Sequence, residues 1–206
     1  MISLPLVYTI LALIAYTTSF WYLFIRLMSK REPNSWLFAF VTILALVLHG
    51  TVLCDAMLTP AGINYDVFNL MSFTSGLMLL LSLIFSTFRP ILPLNLLGIP
   101  VAAIGLILGF AFSRPDQFIE QHSLGLDTHI ILSLSAYAVL LMATIHAILM
   151  WFQNRELKKK QKKRFWVNLL PPIQAMESLL FDLIITGFIL LTIALTFGFL
   201  TIDSFF

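Results

Sequence analysis

Six long apolar runs divide this chain: approximately Leu4 to Met28, Trp36 to Met57, Asp66 to Thr87, Pro90 to Phe112, Asp127 to Phe152 and Phe181 to Thr201. Each is close to the roughly 20 residues that a helix needs to cross the hydrocarbon of a bilayer. The runs predict an all-α fold, a polytopic integral membrane bundle of about six transmembrane helices. No Gly/Ser linker or low-complexity tract interrupts them, and most gaps are short, so residues 1–206 read as a single transmembrane domain of antiparallel neighbours.

The cations orient the bundle. Of the twelve Lys and Arg residues, all but Arg114 belong to the first, third and fifth gaps. Arg26, Lys30 and Arg31 mark the first, Arg89 the third, and Arg155, Lys158, Lys159, Lys160, Lys162, Lys163 and Arg164 the fifth. Cytoplasmic loops retain Lys and Arg, which predicts an external N-terminus, an internal first loop and an external C-terminus. The first run has no early cation and finishes with Arg26, unlike a cleaved signal peptide, and reads as a retained span.

Composition excludes several classes. Hydrophobic residues make up 60% of the chain and charged residues 11%, against about 25% charged in an average soluble domain. The formal charge of +2 comes from the fifth gap and is offset outside by Asp55, Asp66, Asp116, Glu120, Asp127 and Asp203, a distribution that does not suit nucleic acid. The single cysteine, Cys54, permits no internal disulfide and reads as a small core residue.

Between the spans, local composition sets further expectations. Pro90, Pro93, Pro100, Gly98, Gly105 and Gly109 predict that the fourth helix is kinked and closely packed. The polar gap from Ser113 to Leu126 should cap the outer face. The Lys/Arg cluster after Gln153 should anchor on anionic headgroups. Pro171 and Pro172 suit a helix start, which places the beginning of the sixth helix, with Glu177, inside the cytoplasm.

Four histidines hold the available metal or proton chemistry. Steps of three and four from His129 give Ser133, Tyr137, Leu140 and Thr144, a polar edge expected to face protein. An imidazole at His129 can ligate iron or hydrogen-bond a carbonyl. His49 lies about eight residues, or on the order of 12 Å, below the external boundary. There it is either a functional group or a neutral histidine bonded to a neighbouring helix. His146, about 25 Å along the helix from His129, reads as a snorkelling or interhelical bonding residue, and His122 as solvent-exposed. The chain has no phosphate loop, HExxH, CxxC or GxSxG, and Asp182 is the lone carboxylate near the internal end of span six, so no enzyme reading follows.

The stretch His129-Ile-Ile-Leu-Ser-Leu-Ser-Ala-Tyr137-Ala resembles the HxxxSxxxYA helix of the cytochrome c assembly membrane proteins, the CcsA/CcmC type. The stretch from Leu170 through Glu177, Phe181 and Gly187-Phe-Ile-Leu-Leu-Thr192 to Gly198 resembles that family's acidic, aromatic, GFxLLT, G helix. With a span-two histidine similar to His49, the chain is most similar to the YpjD/HemX-like branch. The resemblance implies a heme-binding or heme-handling protein of the bacterial inner (cytoplasmic) membrane. Heme would be bound at the external side, with His129 as axial ligand, Ser133 and Tyr137 beside it, and His49 as a deeper ligand candidate. Its partners would be the bilayer, heme, and other cytochrome assembly or membrane proteins. Two departures stand out. The segment Phe199 to Phe206 carries no Trp where the family's tryptophan-rich region would fall, and the branch continues through about two more helices with further histidines. Either the chain is a C-terminally truncated fragment or it lacks the partner ligand. The alternative reading is a heme-free structural or regulatory membrane subunit, HemX-like and linked to tetrapyrrole synthesis. A solute transporter is disfavoured because intramembrane charges and a clear inverted repeat are missing.

Overall fold

The computed structural model describes residues 3–60, 62–114, 124–158 and 169–202. Among these residues there are six α-helices: α1 Leu4–Met28, α2 Ser35–Met57, α3 Val67–Phe88, α4 Asn95–Phe112, α5 Leu124–Leu157 and α6 Ile173–Ile202. A 3-10 turn, Leu92–Leu94, leads into α4, and together they form one apolar span; all six spans are long and apolar enough to cross a membrane. Two-residue strands, β1 Leu58–Thr59 and β2 Gly62–Ile63, pair antiparallel in the α2–α3 turn, where Gly62 takes a φ of 129° that side chains disfavour.

Helix boundaries follow from local chemistry. The Asn34 carboxamide oxygen accepts from the Trp36 and Leu37 amides at 3.1 and 3.2 Å and starts α2; Asp66 accepts from Phe68 N at 2.9 Å and starts α3. Prolines divide the fourth run, since Pro93 falls in the 3-10 turn while Pro100 is accommodated inside α4. As the Pro171-Pro172 pair predicts, α6 begins at Ile173, well before its apolar run.

Helices α1 to α4 pack as a ring, α1 against α2 and α4, and α3 against the same two. Tyr16, Leu23, Phe38, Ala45, Leu79 and Leu106 are among the residues of its core. The seam between α3 and α4 is close because glycines meet serines. A Cβ on Gly105 would lie 2.7 Å from Ser75 Cβ, and one on Gly109 2.8 Å from Ser72 Cβ. Such small-residue contacts let helices approach where lipid gives no hydrophobic drive to associate. The α5–α6 hairpin has a second core, with Val139, Met142 and Ala143 against Met176, Leu179 and Leu183, and it docks through α5 on α3.

Polar contacts tie the hairpin to the ring at both ends. At one end the Tyr65 hydroxyl donates to Asp127 Oδ1 at 2.6 Å, and beside it Asn64 Nδ2 donates to the Arg114 carbonyl at 2.7 Å. At the other, Arg89 Nε donates to Asp182 Oδ2 at 3.0 Å, with Nη2 3.0 Å from the same oxygen. Asp182, a lone carboxylate in sequence, is thus an ion-pair partner of the residue that caps the C-terminus of α3. Cys54 also departs from expectation. It is exposed, because the buried face of α2 follows Thr42, Ala45, His49 and Val52, and Cys54 lies off that stripe. His122, Asp116, Glu120, the cluster from Lys159 to Arg164, and Asp203 to Phe206 lie outside the described residues.

Candidate functional site

His129 stands near the start of α5 and turns toward α6. Its Nδ1 lies 2.7 Å from the Ala194 carbonyl oxygen. A carbonyl only accepts, so Nδ1 carries the proton and the neutral ring's lone pair resides on Nε2. Gly198, one turn beyond Ala194, makes room for the ring: a Cβ there would lie 2.7 Å from His129 Cε1 and Nδ1. Metal-binding histidines commonly have this arrangement, the non-ligating N–H being held by a carbonyl or carboxylate that fixes tautomer and direction.

The polar edge below His129 does not face protein along its length. Ser133 is half-buried, but Tyr137 is 60% exposed and Thr144 is exposed as well. The helical repeat explains this, because a step of four overshoots a full turn by about 40°. The edge therefore winds away from α6, and the buried face of α5 follows Ala136, Val139, Ala143 and His146 instead.

His49 is 2% exposed inside the ring. Its Nδ1 pairs with the Tyr16 hydroxyl at 2.9 Å and its Nε2 with the Ser72 hydroxyl at 2.8 Å. Gly76 closes over the ring, since an added Cβ would lie 3.3 Å from Cε1. Three helices are thereby joined through one imidazole. The structure does not bring His49 and His129 together, because one is bonded into α1 and α3 and the other onto α6.

His146 is buried rather than snorkelling, and among the described residues it bonds no other helix. Its Nδ1 pairs with the carbonyl of Met142 on its own helix at 2.7 Å. In the connection between α2 and α3, burial, then the bond to Asp127 and its charge, push the Tyr65 phenol up from its ordinary value. An apolar cavity of about 370 Å³, lined by Met57, Tyr65, Phe73, Ile130, Ile131 and Leu134 among others, lies on the side of α5 that faces α2 and α3. Tyr16, Ser72, Ala194 and Gly198 are the supporting groups that sequence spacing misses. Gly198 alone is marked, by its place in the motif.

Three comparisons bear on this arrangement. The family model described as cytochrome C assembly protein matches residues 4–205. The inner membrane protein YpjD of Escherichia coli strain K12 is 29% identical over 199 residues, which cover 93% of this chain and 73% of that protein. The proteins of the same name from the O6:H1 and O157:H7 strains match to the same extent. No solved structure matches.

Proposed function

Because this chain belongs to the cytochrome C assembly protein family, we propose that it is a multi-pass inner-membrane protein that binds or handles heme, with His129 as an axial ligand. The observation that carries this reading is the 2.7 Å contact between His129 Nδ1 and the Ala194 carbonyl. It directs the proton to Nδ1 and leaves the Nε2 lone pair for iron, which fits the donor that a heme requires. Heme, when bound, would supply redox-active iron whose coordination the imidazole helps to complete.

The chain's own residues do the positioning. Ala194 fixes the tautomer, Gly198 admits the ring against α6, and Ser133 follows one turn below. Tyr137 is turned outward, so its place in the site would be at the rim. His49 has both nitrogens engaged, and iron would have to displace the hydroxyl of Tyr16 or Ser72 to reach it. We therefore assign His49 to holding the ring together and His129 to the heme. Binding, rather than catalysis, is the role this arrangement suits.

The test is the absorption spectrum and heme content of the detergent-purified chain, isolated from cells supplied with heme. The expected result is a Soret band with heme approaching one per chain. A folded chain that remains colourless when heme is added overturns the proposal and favours a heme-free structural or regulatory subunit.

A further inference from the structure

His146 presents a different kind of site, about 25 Å along α5 from His129. It is only 6% exposed. Donation from Nδ1 to the Met142 carbonyl leaves the lone pair on Nε2, and that nitrogen is buried without a hydrogen-bond partner among the described residues. Leaving a buried acceptor unsatisfied is unfavourable, and such an atom in a folded protein calls for an explanation. Beside it, between α3, α4 and α5, lies a cavity of about 50 Å³ lined by Met78, Ser82, Gly98, Met142 and His146 among others.

We propose that His146, Met78 and Met142 form a binding site for a soft monovalent cation, Cu(I). The donors are one imidazole nitrogen and two thioether sulfurs, all neutral, and no carboxylate among the described residues lines the cavity. The soft thioethers favour Cu(I) and imidazole is compatible with it, whereas Ca²⁺ and Mg²⁺ require oxygen ligands and protein zinc sites draw on thiolate, imidazole and carboxylate. Charge points the same way. The desolvation penalty of an ion grows with the square of its charge, so a neutral pocket within an apolar span tolerates a monovalent ion far better than a divalent one. Water would satisfy that nitrogen less well. A buried water typically makes about three hydrogen bonds, and among the described residues Ser82 and His146 are the only polar side chains lining the cavity. Met142 is itself buried and Met78 packs against the same core; their unbranched, rotatable side chains can bring sulfur to an ion without moving the helices.

The experiment uses the full chain in lipid nanodiscs, carrying Cys54→Ser so that the exposed thiol does not compete. It is titrated anaerobically with Cu(I) buffered by bicinchoninate. One Cu(I) per chain is expected, not displaced by Zn²⁺, with nitrogen and sulfur scatterers in its X-ray absorption spectrum. His146→Leu should abolish uptake. Met78→Leu and Met142→Leu preserve side-chain volume and fold, and each should weaken binding by about tenfold or more. They decide the question should His146→Leu fail to fold. A parent that retains no Cu(I), or uptake unchanged in both methionine variants, overturns the assignment. Heme content is measured on the same samples, so this result stands or falls separately from the role of His129.

Discussion

Gly198→Ala places a methyl group where the His129 ring now lies. The new Cβ would sit 2.7 Å from both Cε1 and Nδ1. Non-bonded heavy atoms settle at about 3.5 to 4.0 Å, so the ring must retreat by roughly 0.8 Å or more. That retreat stretches the 2.7 Å contact with Ala194 past the roughly 3.2 Å limit of a good hydrogen bond. Crowding costs about 1–3 kcal/mol and the lost bond about 1 kcal/mol, while alanine returns about 1 kcal/mol of helix propensity. The fold should therefore lose about 1–3 kcal/mol. Iron binding should suffer more specifically, because both the tautomer and the direction of Nε2 are released. Heme titration followed by Soret absorbance, beside thermal melting of the heme-free protein, separates the two effects. An affinity loss of about tenfold or more, or a changed Soret position, is expected. Gly187→Ala is the control on the same helix. Its Cβ would meet Leu140 Cγ at 2.8 Å, so it should reduce stability comparably and leave the heme spectrum alone. Unchanged heme affinity and spectrum in Gly198→Ala would refute the claim that α6 positions the ligand.

Other perturbations probe the rest of the structure. Ser72→Ala or Tyr16→Phe leaves one His49 nitrogen unpaired in the ring core and should lower stability by about 1–3 kcal/mol in a detergent melt, with the heme spectrum unaltered. Arg89 and Asp182 are each partly exposed, so a double-mutant cycle should return a coupling of only about 0.2–1 kcal/mol; a value several times larger would mean that the pair is far better shielded than its exposure indicates. The Tyr65 phenol is raised above its ordinary value, so whatever its bond to Asp127 contributes should be fully present below about pH 10 and lost only as pH rises through the higher folded value. Comparison with Tyr65→Phe checks this, and a difference that vanishes between pH 7 and 9 would contradict it. Finally, in a Cys54→Ser background, a membrane-impermeant thiol reagent should label Arg114→Cys but not Lys158→Cys in intact cells; the reverse pattern would invert the orientation read from the cations.

The helices are legible in sequence because hydrocarbon imposes a length. Leu4 to Met28 appears as both an apolar run and a helix, and the proline pair at Pro171 marks the start of α6. The small hairpin at Leu58 to Ile63 is not legible, since two-residue strands carry no measurable period. The candidate site divides along the same line. The depth and helical placement of His129 follow from its own segment, whereas its partner carbonyl lies 65 residues away. Tyr16 and Ser72 reach His49 from separations of 33 and 23 residues, and Arg89 meets Asp182 across 93. Pairings between helices are fixed by packing, for which a local pattern holds no signal. Tyr137 shows the complementary error, since two successive steps of four carry it about 80° around the helix from His129 and leave it exposed.

The most direct measurement is heme binding by His129→Gly, followed optically with and without added imidazole. If His129 is the axial ligand, the variant should lose or shift the Soret band of the parent while keeping its helical circular dichroism, and free imidazole, entering the space left by the side chain, should restore it. A His129→Gly variant that binds heme with the parent's spectrum and affinity, indifferent to imidazole, would contradict the assignment.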